Sequence, residues 1–126
     1  MKIIRFDEIA KVPASHEDAR DPGVLKKVLF RRDDLFVGRI QMINWAFLPP
    51  GKSFRMHYHQ DMQELFIMMA DGAVAVVDGK EVSLERGDAL VVDPGETHEM
   101  KNPTEEEIEY MVVGIAGENK GKSVNV

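Results

Sequence analysis

Turn-forming dipeptides and tripeptides punctuate the middle of this chain, every 7 to 9 residues from Asp71 to Asn102, a spacing that leaves no room for long helices there. They are Pro49-Pro50-Gly51, Asp71-Gly72, Asp78-Gly79, Gly87-Asp88, Pro94-Gly95 and Asn102-Pro103. Each sets special backbone angles or stops a strand. Between them lie short runs rich in Val, Ile, Phe and Met. The pattern predicts strands at 24–30, 35–48, 54–59, 63–70, 73–78, 80–85, 89–93, 97–101 and 107–116. Asp71-Gly72 and Asp78-Gly79 each sit between two apolar runs and read as tight hairpins. Many short strands at this spacing form a sandwich or a closed barrel.

The 126 residues fit one domain, with no internal repeat. Residues 24–117 read as the barrel, 1–23 as an N-terminal segment that packs on it, and 118–126 as a loose, polar C-terminal tail. The net charge of −6 argues against nonspecific nucleic-acid binding, which needs a positive surface to displace counterions. It argues equally against a basic membrane-surface patch. No apolar run approaches the roughly 18 residues needed to span a bilayer. The opening MKIIRFDEIAKV is broken by charges too early for a signal peptide, so a cytoplasmic protein is expected. With no cysteine in the chain, any metal must be held by nitrogen and oxygen.

His57 and His59 are one residue apart in an expected strand, so their imidazoles share a face. Two adjacent imidazoles pack poorly in a core unless something binds them, and a divalent metal satisfies both. Glu64 opens the next apolar run, and a turn over 60–62 returns it toward the same interior. His98 begins the strand after the Pro94-Gly95 turn and brings a third nitrogen. Gln63 stands beside Glu64 as the alternative oxygen donor, but a carboxylate is the stronger ligand for a hard or borderline cation.

These residues resemble the two motifs of the cupin superfamily. Gly51, His57, His59 and Glu64 fall in register with the first, and Gly72 comes one residue late. Gly87, Gly95, His98 and Asn102 match the second; the motif's proline position is Asp93, with Pro94 one residue on. The motifs and the stretch between them span 51–102. The resemblance, to a small single-domain protein of the cupin 2 type, implies an all-β double-stranded β-helix, or jelly roll, of six to eight strands with the metal inside. It implies His57, His59, Glu64 and His98 as ligands, the same four that the residues themselves suggest.

Strand parity puts Arg55 on the face of His57, either to clamp an anionic substrate group or to reach solvent at the barrel mouth. Phe66 and Met68 share the parity of Glu64 and are expected to line the cavity, while Phe54, Met56 and Tyr58 fall on the opposite face. Tyr110 either donates a proton or hydrogen bond to a bound ligand or faces outward. Asp93 serves as an acid or base near the substrate, or else caps its turn. Asn102 reads as a turn-fixing residue, and His16 as a solvated histidine without a role. The apolar Trp45, Phe47 and Leu48 precede the first motif; the face of Phe54, Met56 and Tyr58, if outside the barrel, needs cover from N-terminal strands or from a second subunit, and a homodimer is expected.

Three histidines and one glutamate leave two positions open on an octahedral ion, which suits one Mn, Fe, Ni, Co or Zn. The site is expected to serve an enzyme (a decarboxylase, isomerase, lyase or dioxygenase) acting on a small, oxygen-rich anionic metabolite such as a sugar acid or carboxylate. The other readings are a small-molecule binding or sensing module without turnover, and a metal-free structural barrel. The fold hosts many chemistries and does not choose among them.

Overall fold

A computed structural model describes residues 1–36, 38–117 and 123–126. The strands are β1 (Val12–Pro13), β2 (Leu25–Arg31), β3 (Ile40–Leu48), β4 (His57–His59), β5 (Met62–Met68), β6 (Ala73–Val77), β7 (Lys80–Leu84), β8 (Ala89–Val92), β9 (His98–Lys101), β10 (Ile108–Ala116) and β11 (Ser123–Asn125). They form two sheets, in the orders β1-β2-β3-β10-β5-β8 and β11-β4-β9-β6-β7. All pairings are antiparallel. The fold is the expected all-β jelly roll in a single domain.

Period-two burial builds the interior. Along β10 every second residue, from Ile108 through Tyr110, Val112 and Gly114 to Ala116, is buried. Along β5 the buried set is Met62, Glu64, Phe66 and Met68. A slip of one residue would exchange these sets with their solvent-side neighbours, so burial of the apolar residues fixes register and carries Glu64 inward with them. Leu48, Phe54, Phe66, Met68, Met100 and Tyr110 belong to one core cluster. Each large apolar side chain taken from water there contributes about 1.5–3 kcal/mol.

The two expected hairpins part ways. Asp78 (φ 48°) and Gly79 (φ 80°) join β6 to β7, with Val77 paired to Lys80. Two positive φ angles in a two-residue loop are those of a type I′ turn. Asp71-Gly72 makes no hairpin. It carries the chain from β5 in one sheet to β6 in the other. Both edges of β5 are already taken, by β10 and β8, so no hydrogen-bonding edge is left for β6.

Three boundaries also differ by more than two residues. β3 begins at Ile40 rather than 35, after a 3-10 turn at Arg32–Asp34; Val37 lies outside the described residues. β4 begins at His57 rather than 54, and Phe54 instead donates its backbone N–H to the Met100 carbonyl. The sequence read 118–126 as a loose tail, but Ser123–Asn125 adds to the free edge of β4. Residues 118–122 lie outside the described residues.

The outer face of the first sheet is covered by the chain's own N-terminus. Phe6 meets Trp45 edge-on at 4.9 Å and Phe47 at 6.1 Å between ring centroids. The Lys27 and Lys11 ammonium groups sit over Phe6 and Phe47, at 3.9 and 4.0 Å from the ring centres. Trp45 Nε1 donates to Glu109 at 3.1 Å. No described helix is long and apolar enough to cross a membrane.

Candidate metal centre

The two sheets face each other across a cavity of about 210 Å³, which His57, His59, Glu64, Phe54, Phe66 and Tyr110 help to line. His57 pairs in register with His98, joining β4 to β9. Glu64 comes from the facing sheet, where its register partners are Gly114 and Val92. All four side chains are buried, and one potential ligand atom from each lies within 4.8 Å of the others. The structure therefore brings together the four residues that the motif spacing selected.

Backbone carbonyls aim the imidazoles. His57 Nδ1 donates to the Arg55 carbonyl at 2.6 Å, and His98 Nδ1 to the Glu96 carbonyl at 3.0 Å. A carbonyl only accepts, so these contacts leave each neutral ring with its lone pair on Nε2, turned inward. His59 Nδ1 lies 2.8 Å from Ser123 Oγ. Glu64 Oε1 is 2.7 Å from His59 Nε2 and 3.0 Å from His98 Nε2. A carboxylate oxygen facing a lone pair at that distance is repelled unless a proton or a cation lies between them. His57 Nε2 is buried with no hydrogen-bond partner among the described residues. An orphaned polar atom of this kind costs about 1–3 kcal/mol. A divalent ion among the four groups would give them a shared partner. The residues fit a metal ion.

Burial pushes the His57 imidazole down to about 3, and the charge of neighbouring His16 acts in the same direction. Burial alone would raise the Glu64 carboxyl; where no ion is bound, protons held between it and the Nε2 atoms of His59 and His98 outweigh burial and keep the group well below the carboxylate range. His57 is thus neutral when folded but titrates near 6.5 when unfolded. Because its folded value is depressed, the unfolded chain takes up a proton as pH falls through 6.5 while the folded protein does not, down to about 3. Metal-free protein should therefore hold a steady melting temperature above about pH 7 and lose up to about 1.4 kcal/mol per pH unit from this group below its unfolded value. Thermal scans from pH 8 to 4 check this; an unchanged midpoint across the range would contradict a buried, neutral His57.

The other expected residues fall as follows. Gln63 points away from the cavity and donates to Asp93 at 2.9 Å, so of the two side chains it is Glu64 that faces the histidines. Asp93 is exposed at its turn, where its backbone N–H is bound by Glu96. Arg55 does not face inward. The strand has not begun at 55, the alternation breaks before His57, and Arg55 is exposed while Phe54 is buried. Tyr110 faces inward, 2% exposed, and burial raises its pKa. Asn102 fixes its turn as expected: its amide donates to the Leu48 and Glu106 carbonyls and accepts from Thr104.

The sequence reading missed His16. It is not solvated; it stacks on His57 at 4.1 Å between ring centroids and lines the cavity. Glu17, itself nearly buried, accepts from His16 Nδ1 at 2.7 Å, Gly23 N at 2.6 Å and Arg55 N at 2.7 Å. The acidic neighbour at 17 was the one available signal. Lys26, Asn44 and Ser123 also line the cavity and had no signal in spacing.

A cupin domain family model matches residues 44–114, more than half of the chain. The chain belongs to the cupin family. This cupin is 32% identical over 68 residues to an oxalate-binding protein of Thermotoga maritima, covering 54% of this chain and 56% of that one. It is 36% identical over 67 residues to the tetracenomycin polyketide synthase protein TcmJ of Streptomyces glaucescens, covering 53% of this chain and 41% of that one. The chain thus spans about half the length of these sequence relatives. Among solved structures, a predicted oxalate decarboxylase from Thermotoga maritima superposes with a TM-score of 0.80 at 25% identity, over 92% of this chain and 100% of that one.

Proposed function

We propose that this cupin is a metal-dependent enzyme acting on a small, oxygen-rich anionic metabolite such as a sugar acid or carboxylate, with His57, His59, Glu64 and His98 holding one divalent ion. The observation that carries this reading is the buried His57 Nε2, aimed by the Arg55 carbonyl into a shared cavity and left without a partner among the described residues. Manganese, iron, nickel, cobalt or zinc suits three imidazoles and a carboxylate. Such an ion supplies Lewis-acid polarisation of a bound oxygen or, where it is redox-active, electron exchange with dioxygen.

The chain's own groups do the rest. Phe54 and Phe66 wall the site and keep water from its apolar side. Tyr110 remains a neutral phenol, raised by burial, and offers a hydrogen bond to a ligand oxygen. The cavity is smaller than the ~300–1,000 Å³ usual for ligand clefts, which favours a small metabolite. The same reading takes the protein as a cytoplasmic homodimer; exposed Ile67 and Val91, on the outer side of β5 and β8, are the apolar surface that supports an interface.

A second reading, a binding module without turnover, is favoured by the relative named for binding oxalate rather than converting it. Protein reconstituted separately with manganese, iron, nickel and zinc, and offered sugar acids, dicarboxylates and catechols, separates the two by mass spectrometry. Product from any pairing supports the enzyme. Tight binding of unchanged ligand, with no product throughout, supports the binding module.

A further inference from the structure

The cavity wall opposite the histidines carries two polar groups that the metal reading leaves unused. Lys26 on β2 pairs in register with Ala46, and Ala46 with Tyr110. One row nearer Glu64, Asn44 pairs with Val28 and Val112, and Val112 with Phe66. Lys26 and Asn44 both line the cavity. They lie diagonally across β2 and β3, with Ala46 and Val28 at the other two corners, and rows on one face of a sheet are ~7 Å apart.

Neither group is fully matched among the described residues. Lys26 forms no ion pair among the described residues, and its hydrogen bond to Ser15 Oγ is long, at 3.3 Å. Burial lowers its pKa, so the ammonium gains most from an anion brought to it. Asn44 is 6% exposed, and its Oδ1 has no hydrogen-bond partner among the described residues. A primary amide meets a carboxylate through its N–H and a ligand hydroxyl through its oxygen. Arg55, one candidate for an anion clamp, lies outside the cavity, and Lys26 is the one lysine or arginine among the residues that line it.

Building on the proposed metal site, we infer that Lys26 and Asn44 form a recognition subsite for a second carboxylate, remote from the end of the ligand that meets the metal. The preferred ligands are then small hydroxydicarboxylates rather than monoacids. Lys26 neutralises the distal carboxylate, and the Asn44 amide donates to it through Nδ2–H.

L-malate and L-lactate share a chelating hydroxyacid end, and only malate carries a distal carboxylate. Calorimetry on the manganese-loaded protein should show malate bound at least about tenfold tighter than lactate, the range of a charge-assisted contact in a shielded site. Lys26→Met should reduce that preference to about twofold or less while leaving lactate affinity within about twofold. Asn44→Ala should weaken malate more than lactate, and Arg55→Gln should leave the preference intact. Should Lys26→Met fail to load manganese, the Asn44→Ala result decides alone. Lactate binding without a malate preference, or a preference that survives in Lys26→Met or, where it decides, in Asn44→Ala, overturns this subsite and leaves the metal site standing. Binding of neither acid by the loaded wild type overturns this subsite and the small-anion function proposed for the metal site alike.

Discussion

Replacing His98 by alanine should lower affinity for a divalent metal by more than about 100-fold, beyond the ~10–100-fold typical of losing an outer hydrogen-bond partner. The expectation follows from how the site is shared. Glu64 Oε1 lies 2.7 Å from His59 Nε2 and 3.0 Å from His98 Nε2, so loss of His98 removes one donor and loosens the carboxylate that completes the set. The His98 ring also lies 4.4 Å from that of His57, so its removal opens a gap beside a second ligand. Equilibrium dialysis with elemental analysis reads the change. His16→Ala serves as a comparison, because His16 stacks on His57 but offers none of the four clustered donors. An H98A protein that retains metal at wild-type affinity would remove this residue from the ligand set.

Phe66→Ala should destabilise the fold by about 3–5 kcal/mol, the usual cost of truncating a buried phenylalanine. Phe66 is 3% exposed and stands at the meeting of the core and the site. Its ring lies 6.2 Å from Phe54, 5.8 Å from Tyr110 and 6.0 Å from His98. The cavity left behind cannot collapse without moving one of these rings, so metal affinity should fall along with stability. Denaturant melts of metal-free protein give the first quantity, and dialysis of the same variant gives the second. A loss under about 1 kcal/mol would mean that the two sheets are not packed through this residue as described.

The strands were legible because alternation of apolar and polar residues is a local signal, and the ligands because two of them sit two residues apart on one strand. β10 displays the alternation over its whole length, and β5 displays it with Glu64 in phase with Phe66 and Met68. Arg55 was misassigned because parity was carried two residues past the true start of β4 at His57. The Asp71-Gly72 turn was misread because a dipeptide reports its own backbone angles, while edge occupancy of β5 depends on β8 and β10, far along the chain. His16, Lys26 and Ser123 were silent for the same reason. Ser123 reaches His59 across 64 positions, and His16 reaches His57 through tertiary packing that no local period encodes.

The convergence of three imidazoles and one carboxylate on a single cation is tested most directly by titrating metal-free protein with manganese or zinc and recording the X-ray absorption spectrum of the saturated complex. One ion per chain is expected, in a shell of nitrogen and oxygen at ~2.0–2.2 Å with the outer scattering of three histidine rings. An ion count near zero, or a spectrum without imidazole scattering, would contradict it.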